Sequence, residues 1–193
     1  KRLLEAQKLK GQGKAVQALE LLATHEGPAD TLMKARLLRG HNKASEALRL
    51  LDKALSQKPP APFHDLLKIE QALSHITNKD DALGGAILFK YIQSNHLAAH
   101  EHILTLTQST SRLGPKTVLK KIPTLLEIRG LSPNTRSYLL KTIADAYLAT
   151  GKTTLARETR LESFISVPLG RSSPSAIPDS TNPSAERLLA RAE

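Results

Sequence analysis

The chain predicts an all-α fold of stacked antiparallel helix pairs, and three observations lead there. Its apolar content is 40% of the residues, drawn largely from Leu, Ala and Ile, while aromatics supply 3%. That mixture suits helices packed by aliphatic side chains better than it suits sheets. Residues 140–156, LKTIADAYLATGKTTLA, place small and large apolar residues at the offsets that let two antiparallel helices interlock. Ala144, Tyr147, Gly151 and Ala156 follow one another at gaps of three, four and five residues. The same grammar returns near the N-terminus.

Ten helical segments lie between the turn signals. The first, about Arg2–Lys10, ends at Gly11 and Gly13; the second, about Lys14–His25, is closed by Gly27-Pro28. The third covers about Ala29–Arg39 and stops at Gly40. In the fourth, about Lys43–Gln57, Ala44, Ala47, Leu48, Leu51, Ala54 and Leu55 form one stripe at helical period. Pro59, Pro60 and Pro62 end it, because proline has no N–H to donate and restricts the residue before it. Four more segments fill about Phe63–Ile76, Asp80–Gln93, Leu97–Gln108 and Lys116–Ile128. Gly84 and Gly85 sit inside the sixth, where glycine costs about 1 kcal/mol relative to alanine; a close helix–helix approach is the expected reason. Pro123 predicts a kink or break near Ile122. The ninth segment starts after Ser132-Pro133, where serine caps and proline suits the first turn, and runs to Thr150. The tenth covers about Thr153–Ile165.

Residues 1–165 therefore read as one helical domain and residues 166–193 as a tail. The stretch SVPLGRSSPSAIPDSTNP is rich in Ser and Pro and has no apolar period, which predicts an extended segment. The closing SAERLLARAE has the pattern of a short amphipathic helix, and either a linker or a docking peptide fits the tail. The chain opens on Lys1-Arg2 rather than Met, so it reads as a processed product or a piece of something longer.

Leu140-x-x-Ile143-Ala144-x-x-Tyr147, then Gly151, then Ala156, resembles the tetratricopeptide repeat, a helix–turn–helix unit with a period of about 34 residues. The match departs at Arg160, where a large apolar residue is expected. A second copy is legible at Ala47-x-x-x-Leu51, continuing to Ala54 and Pro59, with Ala35 and Leu38 in its first helix; its Gly40–Asn42 turn looks one or two residues out of step. The third copy is Ala6, Leu9, Gly13, Ala18 and Leu22. Ala18 to Ala47 is shorter than a full period, and Ala47 to Ala156 is not a whole multiple, so the array is divergent. The resemblance covers about half the chain. It implies a right-handed α-solenoid in which each pair touches only its neighbours and the first helices line an inner wall that receives a peptide or partner helix. By the same resemblance that wall carries Lys8, Lys34, Arg36 and Lys141, with Asp145 nearby. Such side chains suit an acidic segment or a free carboxylate, or serve only to solvate the face.

The formal charge of +10 points to acidic partners. The densest basic patch is Arg112, Lys116, Lys120 and Lys121, which makes nucleic acid the alternative partner. Scarce aromatics weaken that alternative for single strands, which stack on rings. The chain contains no cysteine, which excludes disulfides, thiolate metal sites and a cysteine nucleophile. No apolar run approaches the ~20 residues of a membrane span.

Three patterns come near catalytic or binding signatures and fall short of them. Ala146-x-x-x-x-Gly151-Lys152-Thr153 is one residue away from a phosphate-binding loop, but a helix runs into the glycine where a strand is needed. His96 and His100 share a helical face, yet His102 lies well around it and no third metal ligand follows. Asp80-Asp81 stand at a helix start, where carboxylates favour the dipole. The expectation is a non-enzymatic, cytoplasmic scaffold without cofactor or metal that binds a protein or peptide, with self-association through exposed helix faces as a further route.

Overall fold

The computed structural model describes residues 1–94 and 97–166. Every regular element among the described residues is a helix. The chain divides into two compact units, one of residues 1–102 and one that begins at Ile103.

The first unit contains α1 (Arg2–Gly11), α2 (Ala15–Leu22), α3 (Pro28–Gly40), α4 (Ala44–Ser56), α5 (Ala61–Thr77), α6 (Asp81–Gln93) and the single-turn α7 (Leu97–His100). Consecutive helices pair as α1/α2, α3/α4 and α5/α6, and the first helices of successive pairs also touch, α1 on α3 and α3 on α5. The second unit contains α8 (Ile103–Arg112), α9 (Pro115–Leu125), α10 (Pro133–Ala149) and α11 (Thr153–Ile165). Within it α9 packs on both α8 and α10, and α10 pairs with α11.

Prolines and caps set the starts. Pro28, Pro115 and Pro133 each open a helix at its first position, where their missing N–H is no loss. The Ser132 hydroxyl accepts from the Thr135 N–H at 3.1 Å, and the Asp80 carboxylate accepts from the Leu83 N–H at 3.3 Å. The segment expected at 97–108 is instead two helices, with a turn at Glu101-His102. α9 passes through Pro123 and ends at Leu125, so the bond that proline removes weakens only a last turn. α2 stops at Leu22, three residues short of His25, and beyond its end the Lys34 ammonium donates to the carbonyls of Ala23 and His25.

Four helix pairs close through one and the same turn. The N–H groups of Lys14, Lys43, Asp80 and Lys152 donate to the carbonyls of Leu9, Leu38, His75 and Tyr147, each at 2.9 Å. One residue earlier, Gly13, Asn42, Lys79 and Gly151 take positive φ angles of 74, 60, 68 and 77°. This is a helix C-terminus ended by a left-handed residue, whose neighbour reaches back to an orphan carbonyl. Asn42 thus occupies the place of Gly13. The Gly40–Asn42 turn, out of step to the eye, is in step in the fold, because asparagine tolerates the left-handed region.

A small residue stands seven positions before each left-handed residue and another five after it. The pairs are Ala6 and Ala18, Ala35 and Ala47, Ala72 and Gly84, and Ala144 and Ala156, all of them buried. Small side chains at both places let the helix axes approach and the neighbouring large residues interdigitate. The tightest approach is in α5/α6, where a Cβ on Gly84 would meet the Ala72 carbonyl oxygen at 2.5 Å. Four residues beyond the second small residue, Leu22, Leu51 and Leu88 are fully buried; in α11 that place is held by Arg160. The separation inside every pair is 12 residues, whereas Ala6, Ala35 and Ala72 lie 29 and 37 apart. The uneven period therefore resides in helix lengths and connections, as the 8 residues of α2 against the 13 of α4 illustrate.

Candidate functional site

The first helices of the first unit enclose a hollow of about 190 Å³, lined chiefly by Leu3, Gln7, Leu32, Met33, Arg36 and Phe63. Leu3 and Gln7 lie one turn apart on α1, as do Leu32 and Arg36 on α3, so each helix turns a consistent strip toward the space. Leu4, also on its edge, is 76% exposed. Its lining contains no carboxylate.

Arg36 is anchored from behind. The Glu70 carboxylate on α5 is 2% exposed and accepts from the Arg39 Nε–H and, at 3.4 Å, from the Arg36 Nε–H. A buried carboxylate is tolerable only when it is paired in this way. Two guanidinium groups against one carboxylate leave an excess positive charge, and Arg36, 42% exposed, carries it to the open edge. Burial, offset in part by Glu70, lowers the pKa of His102. Nearby, the Asp30 carboxylate is fully engaged by Arg2, which donates to both its oxygens at 2.9 and 3.1 Å.

The wall residues inferred from the repeat do not converge on one place. Arg36 lines the α1/α3/α5 hollow, but Lys34 lies two residues earlier and about 200° around the helix. Its ammonium donates to the His25 carbonyl at 2.7 Å and lines a different recess beside Thr31, Leu50 and Lys53. There it is a cation just past the C-terminus of α2, on the carbonyls of the chain that leaves the helix. Lys8 is exposed on α1, outside the hollow. Lys141 and Asp145 belong to the second unit, where with Val118, Tyr138 and Ala146 they line a hollow of about 400 Å³. Asp145 is taken up there by the Arg160 guanidinium at 2.8 Å.

In the basic patch, Lys116 and Lys120 are exposed one turn apart on α9, while Arg112 and Lys121 each already hold an interaction within the fold. Residues 103–166 carry ten Lys and Arg against four Asp and Glu. Gly151 and Lys152 form the α10–α11 turn and Thr153 opens α11, with the Lys152 ammonium 5.9 Å from the centre of the Tyr147 ring. Among the described residues no three His, Asp or Glu side chains are grouped to hold a metal. His96 lies outside those residues, as does the Ser/Pro-rich tail from residue 167. No described helix is long and apolar enough to cross a membrane.

Sequence reasoning passes over Glu70, Phe63 and Leu3. A signal for Glu70 exists, a lone carboxylate inside the apolar run LLKIEQAL with two arginines three residues apart on the preceding pair. No protein-family model, no curated protein and no solved structure matches this chain.

Proposed function

We propose that this chain is a non-enzymatic adaptor of tetratricopeptide type whose first helices receive an acidic, apolar-anchored peptide or partner helix. The observation that carries the reading is the α1/α3/α5 hollow, apolar in its lining and edged by a guanidinium that its buried partner does not neutralise. Within the first unit, three hairpins with the same 12-residue interlock support a right-handed solenoid in which first helices form the inner wall. A leucine or phenylalanine of the ligand, buried against Leu3, Leu32 and Phe63, contributes about 1.5–3 kcal/mol. A ligand carboxylate meeting Arg36 makes a charge-assisted hydrogen bond of a further ~1.5–3 kcal/mol.

Panning a displayed peptide library against the intact chain, with counter-selection on the Leu4→Asp/Arg36→Glu variant, tests the reading. Enriched peptides should combine apolar and acidic residues and lose at least about tenfold in affinity on the variant. Absence of enrichment, or equal binding to the variant, would refute it. Sedimentation at the working concentrations separates ligand binding from self-association.

Nucleic acid along Arg112–Lys121 is the second reading, favoured by the basic surplus of residues 103–166. Two exposed lysines released from internal contacts neutralise about two phosphates, a log–log salt slope of only about −2. That is a small fraction of what dedicated binders show, and a slope steeper than about −5 would be needed to prefer this reading.

A further inference from the structure

A further hollow, of about 500 Å³, lies at the turn end of the first two hairpins and is lined by Lys14, Ala15, Val16, Leu19, His41 and Lys43 among others. Its floor is aliphatic, and every ionisable side chain on its lining is basic. Gly13, Ala15 and Leu19 of its lining also serve the turn and the core, but Val16 does not. Val16 stands three positions after the left-handed Gly13 and is 66% exposed. The matching positions of the other three hairpins hold Ser45, Ala82 and Thr154, all exposed and small or polar. A branched aliphatic side chain at the start of a helix gains nothing there from packing or propensity.

The lysines give the fold no cap. Lys14, Lys43 and, in the fourth hairpin, Lys152 precede the first turns of α2, α4 and α11 without a capping hydrogen bond, whereas Asp80 at the matching place caps α6; only Lys14 and Lys43 of the three line this hollow. A positive charge at that end also opposes the helix dipole. Lys43 has a neighbour in Glu46 at 3.5 Å, but both side chains are more than half exposed, so the pair is weak and yields readily to a competing carboxylate.

We infer that this turn-side hollow docks a short acidic segment of a partner protein. An aliphatic side chain of the segment seats against Val16 and Leu19, and its flanking carboxylates reach Lys14, His41 and Lys43. The surface is separate from the α1/α3/α5 hollow, so a partner can engage either one alone.

Fluorescence anisotropy on the intact chain tests this with a labelled, end-blocked nine-residue peptide that has leucine at its centre and Asp or Glu elsewhere. The control peptide carries serine at the centre. The leucine peptide should bind about tenfold more tightly than the serine peptide. Val16→Ser, exposed and so without effect on the melting temperature, should reduce that gap to within about twofold. Lys14→Gln/Lys43→Gln should weaken both peptides about tenfold at low salt. Because peptides of this class also suit the α1/α3/α5 hollow, every comparison is made in the Phe63→Ala background, where that hollow has lost its ring. Undetectable binding at millimolar peptide, equal affinity for the two peptides, or a gap that survives Val16→Ser in that background would each overturn the inference. Equal displacement by an oligothymidylate of the same charge would do so too, by showing attraction to phosphate rather than to this peptide chemistry. The groove reading stands or falls separately, on Leu4→Asp and Arg36→Glu.

Discussion

Hairpins α5/α6 and α10/α11 share one register and reach it with different chemistry. Both place small residues 12 apart and close through the same backbone bond at 2.9 Å. In α5/α6 the second small residue is Gly84, the left-handed residue is Lys79, and Leu88 fills the core. In α10/α11 the same places hold Ala156, Gly151 and Arg160. Leu88 is fully buried, while Arg160 is 34% exposed and reaches across to Asp145. The difference teaches that the interlock is set by the size of two side chains and by one backbone conformation. What lies beyond it is free to be apolar where another helix covers it, or ionic where solvent does.

The largest break in that comparison is an exchange at the Leu88/Arg160 position. Leu88→Arg puts an unpaired guanidinium where no solvent reaches, and the expected loss is at least about 3 kcal/mol. Arg160→Leu removes an exposed ion pair worth about 1 kcal/mol or less and replaces it with apolar contact, so stability should stay within about 1 kcal/mol of the parent. Urea unfolding of the two variants checks both. Similar losses in the two would mean that the hairpins are packed alike beyond their interlock.

Next in size is the interlock itself. A methyl added at Gly84 meets backbone, the Ala72 oxygen at 2.5 Å and the Ile76 nitrogen at 2.9 Å, so relief requires the helices to part. Gly84→Ala should cost about 1–3 kcal/mol despite the better helix propensity of alanine. Ala156→Gly runs the other way and should cost about 1 kcal/mol, through chain entropy and a lost methyl contact. Thermal melts of the pair decide it; a Gly84→Ala variant more stable than the parent would show that the α5/α6 approach is looser than its geometry.

The legibility of the two hairpins follows from the same residues. Gly151 announces a turn, and Ala144, Tyr147 and Ala156 lie at readable distances from it, so α10/α11 can be drawn from sequence with the end points Thr153 and Ile165. Lys79 announces nothing, since lysine rarely ends a helix in the left-handed region, and the Ala72–Gly84 interlock stays hidden although Gly84 is visibly placed for close approach. The α7–α8 boundary at Glu101-His102 carries neither glycine nor proline. α8 conceals its buried face differently. Thr107 and Ser109 look solvent-facing, yet their hydroxyls donate to the Ile103 and Leu106 carbonyls of their own helix and are buried with that need met. The candidate groove is the least legible part. Periodicity separates buried from exposed positions, but it does not say that Arg36 and Lys34, two residues apart, serve different surfaces.

The smallest effect concerns the left-handed residue, and there the two hairpins should respond with opposite signs. Lys79 sits at φ 68° and Gly151 at φ 77°, with the same bond closing behind each. A Cβ in that region crowds the following carbonyl, whereas glycine has none to crowd. Lys79→Gly should therefore stabilise the chain by up to about 1 kcal/mol, reduced by the larger entropy that glycine gives the unfolded state. Gly151→Ala meets no atom within 4 Å, so its cost, about 1 kcal/mol, is conformational rather than steric crowding by neighbours. Midpoints of urea unfolding resolve changes of this size. If both substitutions moved the midpoint in the same direction, the two turns would differ in backbone as well as in side chain, and the shared register would reduce to a coincidence of spacing.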